Sequence, residues 1–209
     1  MAGPGHPPGA IGAIGAVFGE DAVYTVDGGN TSLWAYSVLP PTRPSAPTTR
    51  SSSWGCWAPA SPRRSGAKLG APERGVVCVS SDGTASFNVM EMQTAARERL
   101  PITVIVMAEG SWTMEEISRL DRYGRTFGTQ QGEIRWDLVA QGLGCHSEYV
   151  DRIEDLDAAL RRARAPGPEP RLHPQRPRGE PLHPRRDDDP FLRGVPGAER
   201  GGRAGCRPG

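Results

Sequence analysis

The sequence lacks the features that would place it in a membrane or on a nucleic acid. Its 209 residues contain no apolar run long enough to span a bilayer, and the apolar stretch 9–18 is short and has no basic flank typical of a signal peptide. Lysine and arginine number 25 against 24 acidic residues, so a net charge of +1 gives no general attraction to polyanions or anionic lipid. We therefore expect no membrane partner and no specific nucleic-acid partner.

Cysteine and apolar residues are also scarce. The four cysteines, Cys56, Cys78, Cys145 and Cys206, are scattered without metal-site spacing, which is consistent with a reducing cytoplasm. Hydrophobic residues make up only 36% of the chain, which is low for a globular protein. Segments 45–65 and 166–209 account for much of this deficit. Without them roughly 140 residues remain, enough for the core of one domain.

What the sequence does contain is a strand–helix–strand unit. Val76–Ser80 and Ile102–Met107 are short β-branched runs typical of buried strands, and the apolar period of Asn88–Leu100 predicts a helix between them. Because such a connection is right-handed, both strands should end at the same edge of a parallel sheet, where open α/β sheets bind ligands. Asp82 and Glu109 follow the two strands and are flanked by glycines. This pair suits a Mg²⁺-bridged diphosphate, although turn carboxylates often only cap helices.

These residues resemble the metal-binding segment of thiamine-diphosphate enzymes, the group that includes acetolactate synthase and benzoylformate decarboxylase. The family signature, Gly-Asp-Gly followed further along by Asn-Asn, appears here as Ser81-Asp82-Gly83 and Ala108-Glu109. The resemblance implies Asp82 and Glu109 as Mg²⁺ ligands with the main-chain carbonyl of Ser111. It also implies that Gly83 and Thr84 contact the diphosphate. Glu109 replaces the ligating asparagine, so either the metal lies slightly differently or Glu109 swings away and water takes its place.

A second part of the resemblance lies upstream. The apolar strand Ala22–Val26 is followed by Asp27-Gly28-Gly29-Asn30-Thr31, and the matching turn of the family contacts the diphosphate. Gly29, Asn30 and Thr31 are therefore implied as cofactor contacts. Taken alone, the same turn would be an ordinary strand-to-helix connection with Asn30 or Thr31 as the N-cap.

The segment 45–65 breaks the pattern. It has neither helical period nor strand character, and it falls where the family has a glycine-rich stretch that holds the aminopyrimidine ring. When the codons are read from their third base, the junctions within Trp54–Ala58 force glycine, leucine and glycine. The shifted frame permits SILELGMLGTGIPAAI, which runs into Gly66 and resembles family sequence. We infer that about residues 45–65 are out of frame; the alternative is a genuine, irregular Ser/Pro/Arg loop.

The C-terminal part is orderly up to Ala165. Residues 132–144 and Ile153–Ala165 have helical periods, and Cys145–Val150 reads as a strand. The family then has a final strand, whereas Pro166–Gly209 carries ten prolines and nine arginines and no apolar run able to offset the entropy of ordering. As written, this tail is predicted to be disordered. A shifted reading frame also permits a strand-like opening here, although the codons constrain it less tightly than in 45–65.

Together these observations predict an α/β, three-layer parallel-sheet thiamine-diphosphate-binding fold, incomplete, over residues 9–165, with residues 1–8 and the tail 166–209 disordered. The resemblance implies a thiamine diphosphate and Mg²⁺ binding domain of a cytoplasmic, acetolactate synthase-like 2-oxo acid carboligase or decarboxylase, a class whose full-length members homo-oligomerise. The activating glutamate of the family belongs to a separate N-terminal domain, so we assign no catalytic residue and expect no turnover by this chain alone. Two alternatives are a non-catalytic nucleotide- or diphosphate-binding module and an interaction protein that acts through its basic tail.

Overall fold

Six parallel strands form one sheet in the part of the chain that the structure describes. This structure, a computed structural model, describes residues 7–39, 49–50, 60–165 and 171–175. The expectations for residues 1–6, 45–48, 51–59, 166–170 and 176–209 lie outside these residues. The strands are β1 (Val23–Val26), β2 (Thr49–Arg50), β3 (Val76–Ser81), β4 (Ile102–Met107), β5 (His146–Ser147) and β6 (Arg171–Gln175). Their spatial order is β2-β1-β3-β4-β6-β5, and every neighbouring pair is parallel.

Helices cover both faces of this sheet. They are α1 (Pro7–Phe18), α2 (Asn30–Val38), α3 (Ala60–Gly70), α4 (Asp82–Asn88), α5 (Glu91–Arg97), α6 (Thr113–Tyr123), α7 (Trp136–Gly142) and α8 (Ile153–Arg164). Alternate residues of each strand enter opposite cores, as the pleat requires. Val77 and Val79 pack with α1 and α8, whereas Val76 and Cys78 pack with α5 and α7. The predicted three-layer parallel-sheet architecture is therefore confirmed.

The central pair of strands positions the two predicted carboxylates. β3 and β4 pair in register from Val76 opposite Ile102 to Ser81 opposite Met107, and all six residues of β4 are buried. Strands covered on both faces are continuous apolar runs, and both β3 and β4 have such a sequence. The last residues of the two strands, Ser81 and Met107, are opposite each other. Asp82 and Ala108, which follow them, therefore lie at the same edge of the sheet.

Several element boundaries differ from the prediction. The helix expected over 88–100 corresponds to the shorter α5, Glu91–Arg97, and a separate short helix, α4, precedes it. Because α4 begins at Asp82, the acidic turn is itself helical. The helix expected over 132–144 begins only at Trp136, because Gly132 has φ +76° and its N–H bonds to the carbonyl of Gly110. The strand expected over 145–150 is reduced to His146–Ser147.

The segment 45–65, expected to be irregular, contains regular structure at both described parts. Thr49–Arg50 pairs with β1, and α3 includes residues 60–65, with Pro62 in its first turn, where proline is tolerated. That this segment is out of frame stays a prediction, which the nucleotide sequence across codons 44–66 would decide.

Within the tail that was predicted to be disordered, the structure describes one strand, β6, over residues 171–175. β6 pairs with β4 from Thr103 opposite Arg171 to Met107 opposite Gln175, and with β5 at Arg171 and Leu172. Pairing on both sides outweighs the polar composition of this strand. Pro174 lies beyond the end of β5, where a strand position needs a partner on one side only.

Residues 1–179 form one compact unit of the chain. All the elements named here belong to this unit. None of the described helices combines the length and apolar character needed to cross a bilayer.

Candidate functional site

A cleft opens at the carboxyl edge of the sheet, beyond the ends of β1, β3 and β4. The cleft brings together all but one of the site residues predicted from the sequence, namely Gly29, Asn30, Thr31, Gly83, Thr84, Glu109 and Ser111. The remaining one, Asp82, is 2% exposed and is adjacent to the lining residue Gly83.

The carboxylate of Asp82 links the two strand ends. Its Oδ1 accepts the N–H of Gly83 at 2.7 Å, and its Oδ2 accepts the N–H of Gly110, which follows β4. Burial raises the pKa of Asp82, while the N–H groups of Gly110 and Gly83 favour its charged form and partly offset this. A carboxylate oxygen has two lone pairs, so an oxygen that accepts one N–H can also bind a cation.

Glu109 presents an oxygen with no hydrogen bond. Its Oε2 accepts from the hydroxyl of Thr113, but its Oε1 is buried and has no hydrogen-bond partner among the described residues. The pKa of Glu109 is raised to about 7. Burial is the main cause, the Thr113 hydroxyl opposes it by favouring the charged form, and the negative charges of Asp82 and Glu116 contribute to the rise. A buried oxygen without a partner beside a second carboxylate is an arrangement that a hard cation would complement.

The donor set fits a cation that shares its shell with a ligand. The described residues contain no group of three or more His, Cys, Asp or Glu side chains placed to hold a metal. Mg²⁺ commonly binds through one or two carboxylates and completes its shell with water and phosphate oxygens. Asp82 and Glu109, with the main-chain oxygen of Ser111, match that pattern.

Backbone donors at the start of α2 also line the cleft. Gly29 is the N-cap with φ +77°, and no side chain in the described residues caps this helix, so neither Asn30 nor Thr31 has the alternative capping role. The first N–H groups of a helix have no partner within it and suit an anion.

Sequence reasoning missed the residues that follow Ser111. Trp112, Thr113, Met114 and Glu115 also line the cleft. A Cβ on Gly83 would come within 2.9 Å of the Trp112 ring, so the absence of a side chain at Gly83 allows the indole to pack there. In the sequence, only Trp112 could have indicated that these residues line the cleft, because it directly follows the turn at the end of β4.

The sheet, the cleft at its carboxyl edge and the buried carboxylates define an α/β ligand-binding domain of the open parallel type. The family described as "Thiamine pyrophosphate enzyme, C-terminal TPP binding domain" matches residues 27–172 of this chain. The chain belongs to this family and contains its thiamine-diphosphate-binding domain, which confirms the resemblance seen in the sequence.

Curated relatives and a solved structure agree with this assignment. The sulfoacetaldehyde acetyltransferase of Castellaniella defragrans is 31% identical over 161 residues, which cover 76% of this chain and 26% of that protein. The acetolactate synthase isozyme 2 large subunit of Escherichia coli K12 is 30% identical over 144 residues, covering 67% of this chain and 26% of that subunit. The chain thus spans about a quarter of the length of these relatives.

The thiamine diphosphate-dependent 4-hydroxybenzoylformate decarboxylase of Rhodococcus jostii RHA1 has a similar structure, with a TM-score of 0.71. The match covers 84% of this chain and 33% of that one, at 24% identity. At this identity the likeness concerns the fold alone.

Proposed function

We propose that the cleft binds thiamine diphosphate together with Mg²⁺, as the cofactor-binding part of an acetolactate synthase-like 2-oxo acid carboligase or decarboxylase. The observation that carries the proposal is the placement of Asp82, whose carboxylate joins the ends of β3 and β4 through Gly83 and Gly110. Next to it, Glu109 Oε1 is buried without a hydrogen-bond partner among the described residues. Two carboxylates beside backbone N–H groups form a site for a cation and a diphosphate at once.

Each predicted residue has a role in this proposal. Asp82 and Glu109 hold the cation as carboxylates, with the main-chain oxygen of Ser111 as a third ligand. The diphosphate contacts are Gly83, Thr84, Gly29, Asn30 and Thr31. When bound, thiamine diphosphate supplies the nucleophilic carbon that attacks the carbonyl group of a 2-oxo acid. The protein residues bind and orient the cofactor and exclude water from its charged end.

We further propose that this chain alone binds the cofactor weakly and does not turn over substrate, because it spans about a quarter of its relatives. Isothermal titration of the full chain with thiamine diphosphate, with and without Mg²⁺, should show weak, Mg²⁺-dependent binding that the Asp82→Asn variant loses. Glu154 is an exposed carboxylate on α8. The Glu154→Gln variant loses one negative charge away from the cleft and is therefore the control for the charge lost in Asp82→Asn. Binding without dependence on Mg²⁺ would contradict the proposed site. Sub-micromolar affinity, or decarboxylation of pyruvate by the chain, would contradict the proposed weakness and inactivity.

One observation favours a second candidate, a module that binds a different diphosphate or nucleotide. Glu109 stands where the resemblance implies a ligating asparagine. The family signature has an asparagine, with a neutral amide oxygen, at this metal-binding position. If the cleft binds thiamine diphosphate, we therefore expect Glu109→Asn to tighten its Mg²⁺-dependent binding. If the substitution instead weakens that binding, and the unsubstituted chain prefers ADP over thiamine diphosphate in the same titration, the second candidate replaces the first.

A further inference from the structure

Two chain segments, the turn 109–112 and the segment 129–132, are joined beside the cleft. The N–H of Trp112 donates to the carbonyl of Thr129, and the N–H of Gln131 donates to the carbonyl of Gly110, both at 2.9 Å. Ser111 and Gln130 form an antiparallel bridge between these bonds. We call residues 109–112 the ligand turn and residues 129–132 the supporting segment. The supporting segment thus holds the backbone that carries two of the proposed metal ligands.

Gly110 shows how closely the two segments approach. Its φ is +75°, and a Cβ built on it would lie 3.2 Å from the carbonyl oxygen of Gly132. The N–H of the same residue donates to the Asp82 carboxylate. A shift of the supporting segment would therefore move a donor of Asp82 as well as the carbonyl of Ser111.

One buried carboxylate, that of Glu116 in α6, fastens both segments. Its Oε2 accepts the hydroxyl of Ser111 at 3.2 Å, and its Oε1 accepts the hydroxyl of Thr129 at 3.4 Å and the side-chain amide of Gln130. Glu116 is 6% exposed, and Thr129 is 1% exposed. A buried charge is costly unless several donors satisfy it, and three are supplied here from two separate segments.

We propose that Glu116 is a positioning residue for the metal site, which fixes the ligand turn by holding Ser111 to the supporting segment. Glu116 is not among the residues that line the cleft, and its carboxylate hydrogen-bonds to Ser111, Thr129 and Gln130. This inference rests on the proposed function of the cleft. Second-sphere groups of this kind typically change metal affinity about 10–100-fold when they are removed.

Three substitutions separate the hydrogen bonds of Glu116 from its charge. Glu116→Gln loses the charge but keeps the length; its oxygen can accept from Thr129 and Gln130, and its amide can donate to the Ser111 hydroxyl. Glu116→Asp keeps the charge but is one methylene too short to reach both segments. Glu116→Ala loses both. Glu154→Ala, which removes an exposed carboxylate from α8, is the control for charge and for helix composition.

The first measurement is the Mg²⁺ concentration that half-saturates thiamine diphosphate binding. We expect it to rise about tenfold in Glu116→Asp and Glu116→Ala and to change less than about threefold in Glu116→Gln and in the control. The opposite pattern would be an unchanged half-saturating Mg²⁺ concentration in Glu116→Asp and a raised one in Glu116→Gln. It would mean that the charge of Glu116, and not its hydrogen bonds, sets the Mg²⁺ affinity, and it would overturn the proposal.

The second measurement needs no ligand, so it stands even if the cleft does not bind the cofactor. Amide hydrogen exchange should accelerate at Trp112 and Gln131 in Glu116→Ala and Glu116→Asp, while the amides of β3 and β4 keep their protection. Unchanged exchange at Trp112 and Gln131 would overturn the proposed positioning role. Failure of the unsubstituted chain to bind Mg²⁺ and thiamine diphosphate, with accelerated exchange in the variants, would overturn the proposed function and leave the structural role of Glu116 in place.

Discussion

At the scale of single residues, Gly110 combines a left-handed backbone with a close backbone contact. We expect Gly110→Ala to lower the free energy of unfolding by more than the roughly 1–2 kcal/mol that a left-handed alanine costs, because its Cβ would also press on the carbonyl of Gly132. Gly124 is the matched control: its φ is +69°, but no described atom lies within 4 Å of the position that a Cβ would take there. Urea unfolding of both alanine variants measures the difference, and equal losses would show that the contact with Gly132 is not important.

The site residues divide into those that local sequence could predict and those that it could not. Asp82 and Glu109 were predictable because each directly follows an apolar strand run, and the topology of a parallel sheet brings such strand ends together. Glu116 gave no such signal. Its partners Thr129 and Gln130 are 13 and 14 residues away and reach it only through the antiparallel bridge at Ser111. Helical spacing alone predicts a solvated face for such a residue.

At the scale of elements, apolar period predicted the central strands well and their flanking boundaries less well. β3 and β4 are buried on both faces, so nearly every position in them must be apolar, and this produces the continuous apolar runs seen in the sequence. The helix between them is interrupted near residue 90, and its first part starts at the carboxylate that the site uses. Composition did not predict β6, because its pairing with β4 and β5 comes from tertiary contacts and its residues favour disorder; only the family resemblance implied a final strand after residue 165.

The packing of α5 on the sheet gives a prediction with its own control nearby. Met92 is fully buried among β3, β4 and α7 residues, whereas Met90, two positions earlier, is 67% exposed. We expect Met92→Ala to lower the free energy of unfolding by about 2–5 kcal/mol and Met92→Leu by less than about 1.5 kcal/mol. Met90→Ala should change it by no more than about 0.5 kcal/mol. Denaturant unfolding tests this, and similar losses at both positions would be inconsistent with the inward face assigned to α5.

At the scale of the whole molecule, β6 is the last described strand, and it limits how much of the C-terminal part can be removed without losing a described element. The folded unit comprises residues 1–179, so it includes β6 and excludes residues 180–209. A chain ending at residue 165 would lose the strand between β4 and β5, which exposes one edge of β4 and leaves β5 without its partner. We therefore expect the chain 1–179 to unfold at the same temperature as the full chain and the chain 1–165 to unfold at a lower temperature or to aggregate.

The same pair of truncations tests the alternative in which the basic tail is the working part of the protein. Deleting 166–209 would confound the loss of the tail with the loss of β6, whereas deleting 180–209 keeps all the described elements. If the cleft is the functional part, the chain 1–179 retains Mg²⁺-dependent thiamine diphosphate binding with unchanged affinity in the isothermal titration. Loss of that binding in 1–179, with an unchanged unfolding temperature, would mean that the cofactor site needs residues beyond the folded unit. Equal unfolding temperatures for 1–165 and 1–179 would instead show that β6 contributes nothing to the stability of the sheet.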